Sequence, residues 1–236
     1  MDSHDRESDT FVNSFPCLGC LRQEVRQVNK AIADAEATGA ASPVAWSSIE
    51  CTYADLNQAQ CDLCKAEGNI CQPTLAMIHG NVKSMIATIS YISGLLERQD
   101  PSPAAVVEQG DEFPHVFPRA TRAGIVKALA KLGEAFDTMV TSHQREHGLL
   151  GSFGQDAMQS HEQTYQVNVA ARLDNIIQSG LLFWSPGGTL RLQSSDAGFA
   201  DWNIAVQEFY RDVTRVMEET NMAQAAIHIT LTNLPI

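Results

Sequence analysis

Six cysteines, Cys17, Cys20, Cys51, Cys61, Cys64 and Cys71, crowd the first third of the chain, and the remaining positions hold none. Their order is C-x2-C-x30-C-x9-C-x2-C-x6-C. A C-x2-C pair forms a tight knuckle in which two thiolates face one ion, and four sulfurs complete a tetrahedral zinc shell. A buried free cysteine is also simply a small hydrophobe, which suits one or two scattered residues better than six so close together. Disulfides belong to oxidising compartments. The opening MDSHDRESDT is polar and acidic, without the basic and apolar regions of a secretory leader, so an intracellular, reducing setting is expected. Zinc is therefore the expected cofactor, with all six thiols as ligands.

The spacing leaves the shell open. Two ions could share the six sulfurs. One ion could take Cys17, Cys20, Cys61 and Cys64, although the gap between these pairs is longer than in the usual zinc ribbon. One ion could instead take Cys51, Cys61, Cys64 and Cys71.

A second constellation is HQREH, from His143 to His147, which matches the H-x-x-E-H string of inverted zinc peptidases. Two histidines four apart share a helix face and could hold one ion, with Glu146 as general base and Glu218 or Glu219 as a distant third ligand. The five-residue string is short, it precedes Gly148, and the strands of a peptidase fold are missing. The expectation is a helix C-terminus with capping or surface histidines, and no enzymatic activity. No phosphate-binding loop, dinucleotide fingerprint, nucleophile elbow or calcium loop occurs.

The elements that must position these residues read as mainly α. Leu21, Val25, Val28 and Ile32 predict a helix over Leu21–Ala37, stopped at Thr38-Gly39. After Pro73, Leu75, Ile78, Val82, Met85, Ile89, Ile92 and Leu96 form a heptad seam that ends near Asp100. That seam serves either as intramolecular core or as a coiled-coil dimer interface over 75–96. Its flanks, His79, Asn81, Ile86, Thr88, Ser93 and Leu95, lack the complementary charges of a coiled coil and favour the core. Further helices are predicted over Arg119–His147, His161–Phe183 and Ala197–Asn221, the last with Asp196 as N-cap. Trp184 and Trp202 are expected to pack between helices. Leu181–Gln193 carries a Pro-Gly-Gly turn signal and allows one short hairpin, and the tail Ala225–Ile236 is β-prone.

The expected organisation is a disordered stretch 1–16, a zinc-held cysteine-rich module with its heptad helix over 17–99, an acidic proline-rich linker over 100–118, and a helical region over 119–236. No apolar stretch approaches a bilayer span, so no membrane association is expected. A net charge of −12 repels phosphate backbones unless a local basic patch intervenes. Between Cys17 and Cys71 the basic residues are Arg22, Arg26, Lys30 and Lys65, against seven acidic ones.

The cysteine order followed by proline and a heptad helix resembles the fungal binuclear zinc cluster of transcription regulators. It is also similar to a looser group of fungal cysteine-rich proteins in which CLxC opens the module and C-x2-C-x6-C-x-P closes it. Cys61-Asp62-Leu63-Cys64 and then Cys71-Gln72-Pro73 carry the closing half, and the likeness covers about residues 17–96. The resemblance implies that Cys17 and Cys61 bridge two zinc ions while Cys20, Cys51, Cys64 and Cys71 are end ligands. It implies a nuclear protein that regulates transcription, binds DNA and pairs through its heptad helix. The chain departs from the family in the long Cys20–Cys51 interval and in its sparse basic residues, which leaves a zinc-stabilised protein-interaction role without DNA as the alternative.

Overall fold

The computed structural model describes residues 11–13, 16–38, 51–53, 60–69, 71–97, 119–151, 154–179 and 189–219. The described chain is mainly helical, as the periodicities predict. Two three-residue strands, β1 (Phe11–Asn13) and β2 (Cys51–Tyr53), pair antiparallel with Asn13 opposite Cys51. The helices are α1 (Leu18–Thr38), α2 (Asp62–Ala66), α3 (His79–Glu97), α4 (Arg119–Glu146), α5 (Gln155–Gln178) and α6 (Phe199–Glu219). A 3-10 turn over Ala76–Ile78 leads into α3. Among the described residues, no helix is long and apolar enough to cross a membrane.

α4 is the central helix. It packs against α1, α3 and α6, and its apolar positions recur at spacings of three and four, so one face meets several partners. Ile125, Leu129, Leu132, Phe136, Met139 and Val140 on α4 share one core with Leu18 and Leu21 of α1 and with Trp202, Phe209 and Met217 of α6. Phe136 and Trp202 meet edge to face with ring centroids 5.6 Å apart, a geometry aromatic quadrupoles favour. α1 approaches α4 where α4 has no side chain: a Cβ on Gly133 would lie 2.5 Å from a methyl of Val25.

The heptad seam is spent inside the chain. Ile78, Val82, Met85, Ile89 and Ile92 belong to the same core as α4 and are at most 3% exposed. The coiled-coil dimer expected as one use of this helix therefore has no free apolar stripe to form on over these positions. The uncharged flanks have the same explanation. Asn81 is buried, and its Oδ1 accepts from the Leu192 N–H at 3.0 Å, while the Gly80 N–H donates to the Leu190 carbonyl at 2.7 Å.

Three other expectations change. The stretch 1–16, expected to be disordered, contains β1, because Phe11–Asn13 finds a partner strand some forty residues onward. Asp196 does not cap α6. Its carboxylate is turned to Arg172 of α5, with two contacts of 2.6 and 2.7 Å, and to the Gln193 N–H at 2.7 Å. The helix begins instead above Gly198, whose carbonyl accepts from Trp202 N–H. α5 starts at Gln155 rather than at His161, as soon as the glycines that end α4 are passed. Leu18 and Leu21, at the start of α1, lie in the core built around α4. The linker 100–118, the turn of the expected hairpin with Trp184, and the tail 225–236 lie outside the described residues; positions 189–193 are described and are not strand.

Candidate metal centre

The two C-x2-C pairs are built alike. Cys17 immediately precedes α1 and Cys61 immediately precedes α2. In each case the second cysteine, Cys20 or Cys64, is the third residue of the helix. That spacing brings both sulfurs to one side of a helix N-terminus, where unpaired N–H groups and the helix dipole favour anionic thiolate. Backbone donors point at sulfur as well. Cys17 N–H donates to Cys51 Sγ at 2.9 Å, Cys20 N–H to Cys17 Sγ at 3.3 Å, and Cys61 N–H to Cys71 Sγ at 3.4 Å.

The remaining two thiols arrive by different routes. Cys51 is delivered by β2, held in place by its pairing with β1. Cys71 follows α2 after a turn at Gly68, where φ is +65° and a residue without Cβ is favoured. Leu18 N–H donates to the Gln72 carbonyl at 2.8 Å and the Thr74 hydroxyl donates to the Pro16 carbonyl, so the start of α1 is tied to the segment after Cys71.

The result is a single knot of six sulfurs. Cys17, Cys20, Cys51 and Cys61 have ligand atoms within 4.8 Å of one another, and so do Cys17, Cys61, Cys64 and Cys71. Cys17 and Cys61 belong to both sets. Individual Sγ separations are 3.9 Å for Cys17–Cys61, 3.4 Å for Cys17–Cys64, 3.4 Å for Cys20–Cys61 and 3.3 Å for Cys20–Cys51. Two sulfurs on tetrahedral bonds of about 2.3 Å to one zinc ion lie about 3.8 Å apart. The sulfurs are thus close enough to share metal ions, and all six are free thiols rather than disulfides. Five are buried and Cys71 is partly so.

The electrostatics of the knot suit a cation. Hydrogen bonds from Cys20 and Cys51 pull the Cys17 thiol well below its ordinary range, against burial, which acts to raise it. Cys20 is pushed up, first by its hydrogen bond with Cys17, and Cys51 is pushed up to about 12, chiefly by the same neighbour. Burial is the largest cause raising Cys64 and Cys71. Thiolates gathered this closely repel one another unless a counter-charge lies between them. A divalent ion supplies that counter-charge and binds thiolate directly. The Tyr53 hydroxyl lies 4.0 Å from Cys71 Sγ, at the edge of the knot; nothing in the spacing of the cysteines marks it.

The HQREH residues also come together. His143 Nδ1 and His147 Nε2 each lie 3.9 Å from Glu146 Oε2. His143 is fully buried rather than a surface residue, which corrects the sequence expectation for it; His147 directly follows the last residue of α4 and is partly buried. Glu218 and Glu219 lie at the far end of α6 and take no part in this grouping.

No protein-family model, no curated protein and no solved structure matches the chain.

Proposed function

We propose that the chain is a zinc-binding regulatory protein whose six cysteines hold two ions, with Cys17 and Cys61 bridging and Cys20, Cys51, Cys64 and Cys71 as end ligands. The observation that carries this reading is the overlap of the two four-thiol sets at Cys17 and Cys61. Six thiolates and two divalent ions leave a net negative cluster. The N–H groups of Cys17, Cys20 and Cys61 and two helix N-termini are placed to offset it. Zinc is preferred among ions because soft thiolates in a closed, tetrahedrally spaced set suit it, and because such sites are structural.

The cluster acts as a staple rather than a reagent in this reading. It gathers β1–β2, α2 and the start of α1, and α1 in turn buries Leu18 and Leu21 in the main core. A partner protein is the more strongly supported target. In the zinc-cluster regulators that the sequence resembles, the residues after the first C-x2-C face DNA. Here that segment is α1, which packs on α4, and its Arg22 guanidinium is paired with Asp137 of α4. Arg26 lines the same cleft beside Glu134 and Asp137. Few cations remain there to neutralise phosphates.

Metal analysis of protein purified without chelator tests the reading, combined with thiol titration before and after stripping. Two thiol-held zinc ions per chain and six thiols that become reactive only on stripping are expected. One ion, or none, overturns it. Binding to mixed duplex DNA at low salt separates the two regulatory roles: a flat response supports the protein partner, and salt-sensitive affinity restores DNA as the target.

A further inference from the structure

We propose a second metal site at the C-terminus of α4, formed by His143 Nδ1, Glu146 Oε2 and His147 Nε2, that takes one divalent first-row transition ion and leaves a coordination position open. The three ligand atoms lie within 4.8 Å of one another. Both ring nitrogens are buried and neither has a hydrogen-bond partner. A buried polar atom without a partner carries an unrepaid desolvation cost, so two of them beside one carboxylate need a reason. A shared cation provides it.

Local structure builds the site. α4 ends in a Schellman turn: Leu149 N–H donates to the Gln144 carbonyl at 2.8 Å and Gly148 N–H to that of Arg145 at 3.1 Å. Gly148 sits at φ +65°, and a Cβ there would lie 2.7 Å from the His161 ring. The turn fixes His147 one helical turn beyond His143, with ring centroids 4.5 Å apart. The C-terminal end of a long helix dipole favours positive charge at this point. Glu146 Oε2 also accepts from Ala197 N–H at 2.9 Å, which anchors the carboxylate against the loop before α6.

Tyr165 of α5 supports His143 from the other side. Its hydroxyl oxygen accepts from Met77 N–H at 3.0 Å and lies 3.4 Å from His143 Nε2. With Nε2–H donating to that oxygen, Nδ1 is the bare nitrogen and faces Glu146. Ligating histidines are held in this way, by an acceptor on the far nitrogen. The neighbouring charges, Arg172 and Asp196, are paired with each other and so add little net field. Two donors on tetrahedral bonds of about 2.0–2.1 Å lie about 3.4 Å apart, so the 3.9 Å separations close by a small side-chain adjustment. Imidazole and carboxylate together suit zinc, cobalt, nickel or copper rather than calcium or magnesium.

The arrangement differs from a peptidase centre in one respect. Glu146, which the peptidase string would make a general base, stands equidistant from both ring nitrogens, the position of a ligand. Its side chain is 36% exposed and gives the ion its route from solvent.

The test uses the full chain. It is loaded with two equivalents of zinc per chain to fill the thiol cluster, passed through gel filtration and titrated with cobalt(II), read by elemental analysis and by visible absorption. The site gives one metal equivalent beyond the thiol cluster, and cobalt placed there shows d–d bands without the thiolate charge-transfer band. Glu146→Gln and His147→Gln, shown to be folded by circular dichroism, lose that equivalent or bind it more than about 100-fold more weakly, and Tyr165→Phe weakens it by about 10–100-fold. His143→Ala is avoided as the primary variant because the residue is fully buried. An extra equivalent that survives both Gln variants, or none at all in the unaltered chain, overturns the proposal. The cluster reading fails separately: the zinc-loaded chain then shows six reactive thiols in a thiol titration while the d–d bands of the histidine site remain.

Discussion

Cys17 and Cys61, separated by forty-four positions, stand with their sulfurs 3.9 Å apart, each at the N-terminus of its own helix. This juxtaposition makes the two knuckles one site. It predicts an asymmetry among cysteine variants. Cys17→Ser or Cys61→Ser removes a ligand common to both four-thiol sets and empties the cluster of both ions. Cys71→Ser or Cys51→Ser touches one set and leaves one ion. Zinc per chain by elemental analysis decides it. Equal loss in all four variants would mean that no sulfur is shared.

Metal removal is expected to destabilise more than the cysteine segment. Leu18 and Leu21 lie one and four positions after Cys17 and are 1% exposed in the core around α4. Loosening the start of α1 therefore opens that core. Stripping zinc with a chelator lowers the melting temperature of the whole chain in one transition, as binding free energy is folding free energy at such sites. Two transitions, with the helical core melting at an unchanged temperature, would show that the cluster folds apart from it.

The seam on α3 gives a prediction about association. Ile89 is 3% exposed and surrounded by its own chain. Ile89→Ala leaves a cavity and costs about 2–5 kcal/mol in urea unfolding. Sedimentation of the unaltered chain and of the variant at micromolar concentration is the same. A dimer that dissociates on this substitution would mean the seam pairs between chains.

Much of this architecture is legible along the sequence, and the exceptions share a cause. α4 spans Arg119–Glu146 within a residue of its reading, because its apolar period is long and Gly148 closes it. The six sulfurs are legible as a group because chemistry gives crowded thiols few other uses. What one-dimensional patterns miss depends on partners far away. Cys51 reaches the knot through β2, whose strand partner precedes α1. His143 reads as a surface residue at a helix end, since its burial comes from Tyr165, twenty-two positions later on another helix. Tyr165 carries no motif of its own. Asp196 has the composition of an N-cap, but Arg172 outcompetes the helix for its carboxylate.

That last pair yields a pH dependence. Burial acts to raise the Asp196 pKa, and the hydrogen bonds from Arg172 and Gln193 N–H outweigh it, so the carboxyl is held below its usual range. The side chains are 16% and 7% exposed for Arg172 and Asp196, and two contacts of 2.6 and 2.7 Å join them. A depressed folded-state pKa means that the stabilisation is complete above the unfolded carboxyl's value of about 3.9 and is lost as pH falls through the lower folded value. Asp196→Asn leaves Arg172 without its counter-charge and costs about 3 kcal/mol at neutral pH. Urea unfolding of both proteins between neutral pH and about 3 is the measurement. The gap between them is widest at neutral pH and narrows below about 4, because the unaltered chain loses there what the variant already lacks. A gap that stays constant across this range would assign the cost of the substitution to packing instead of charge.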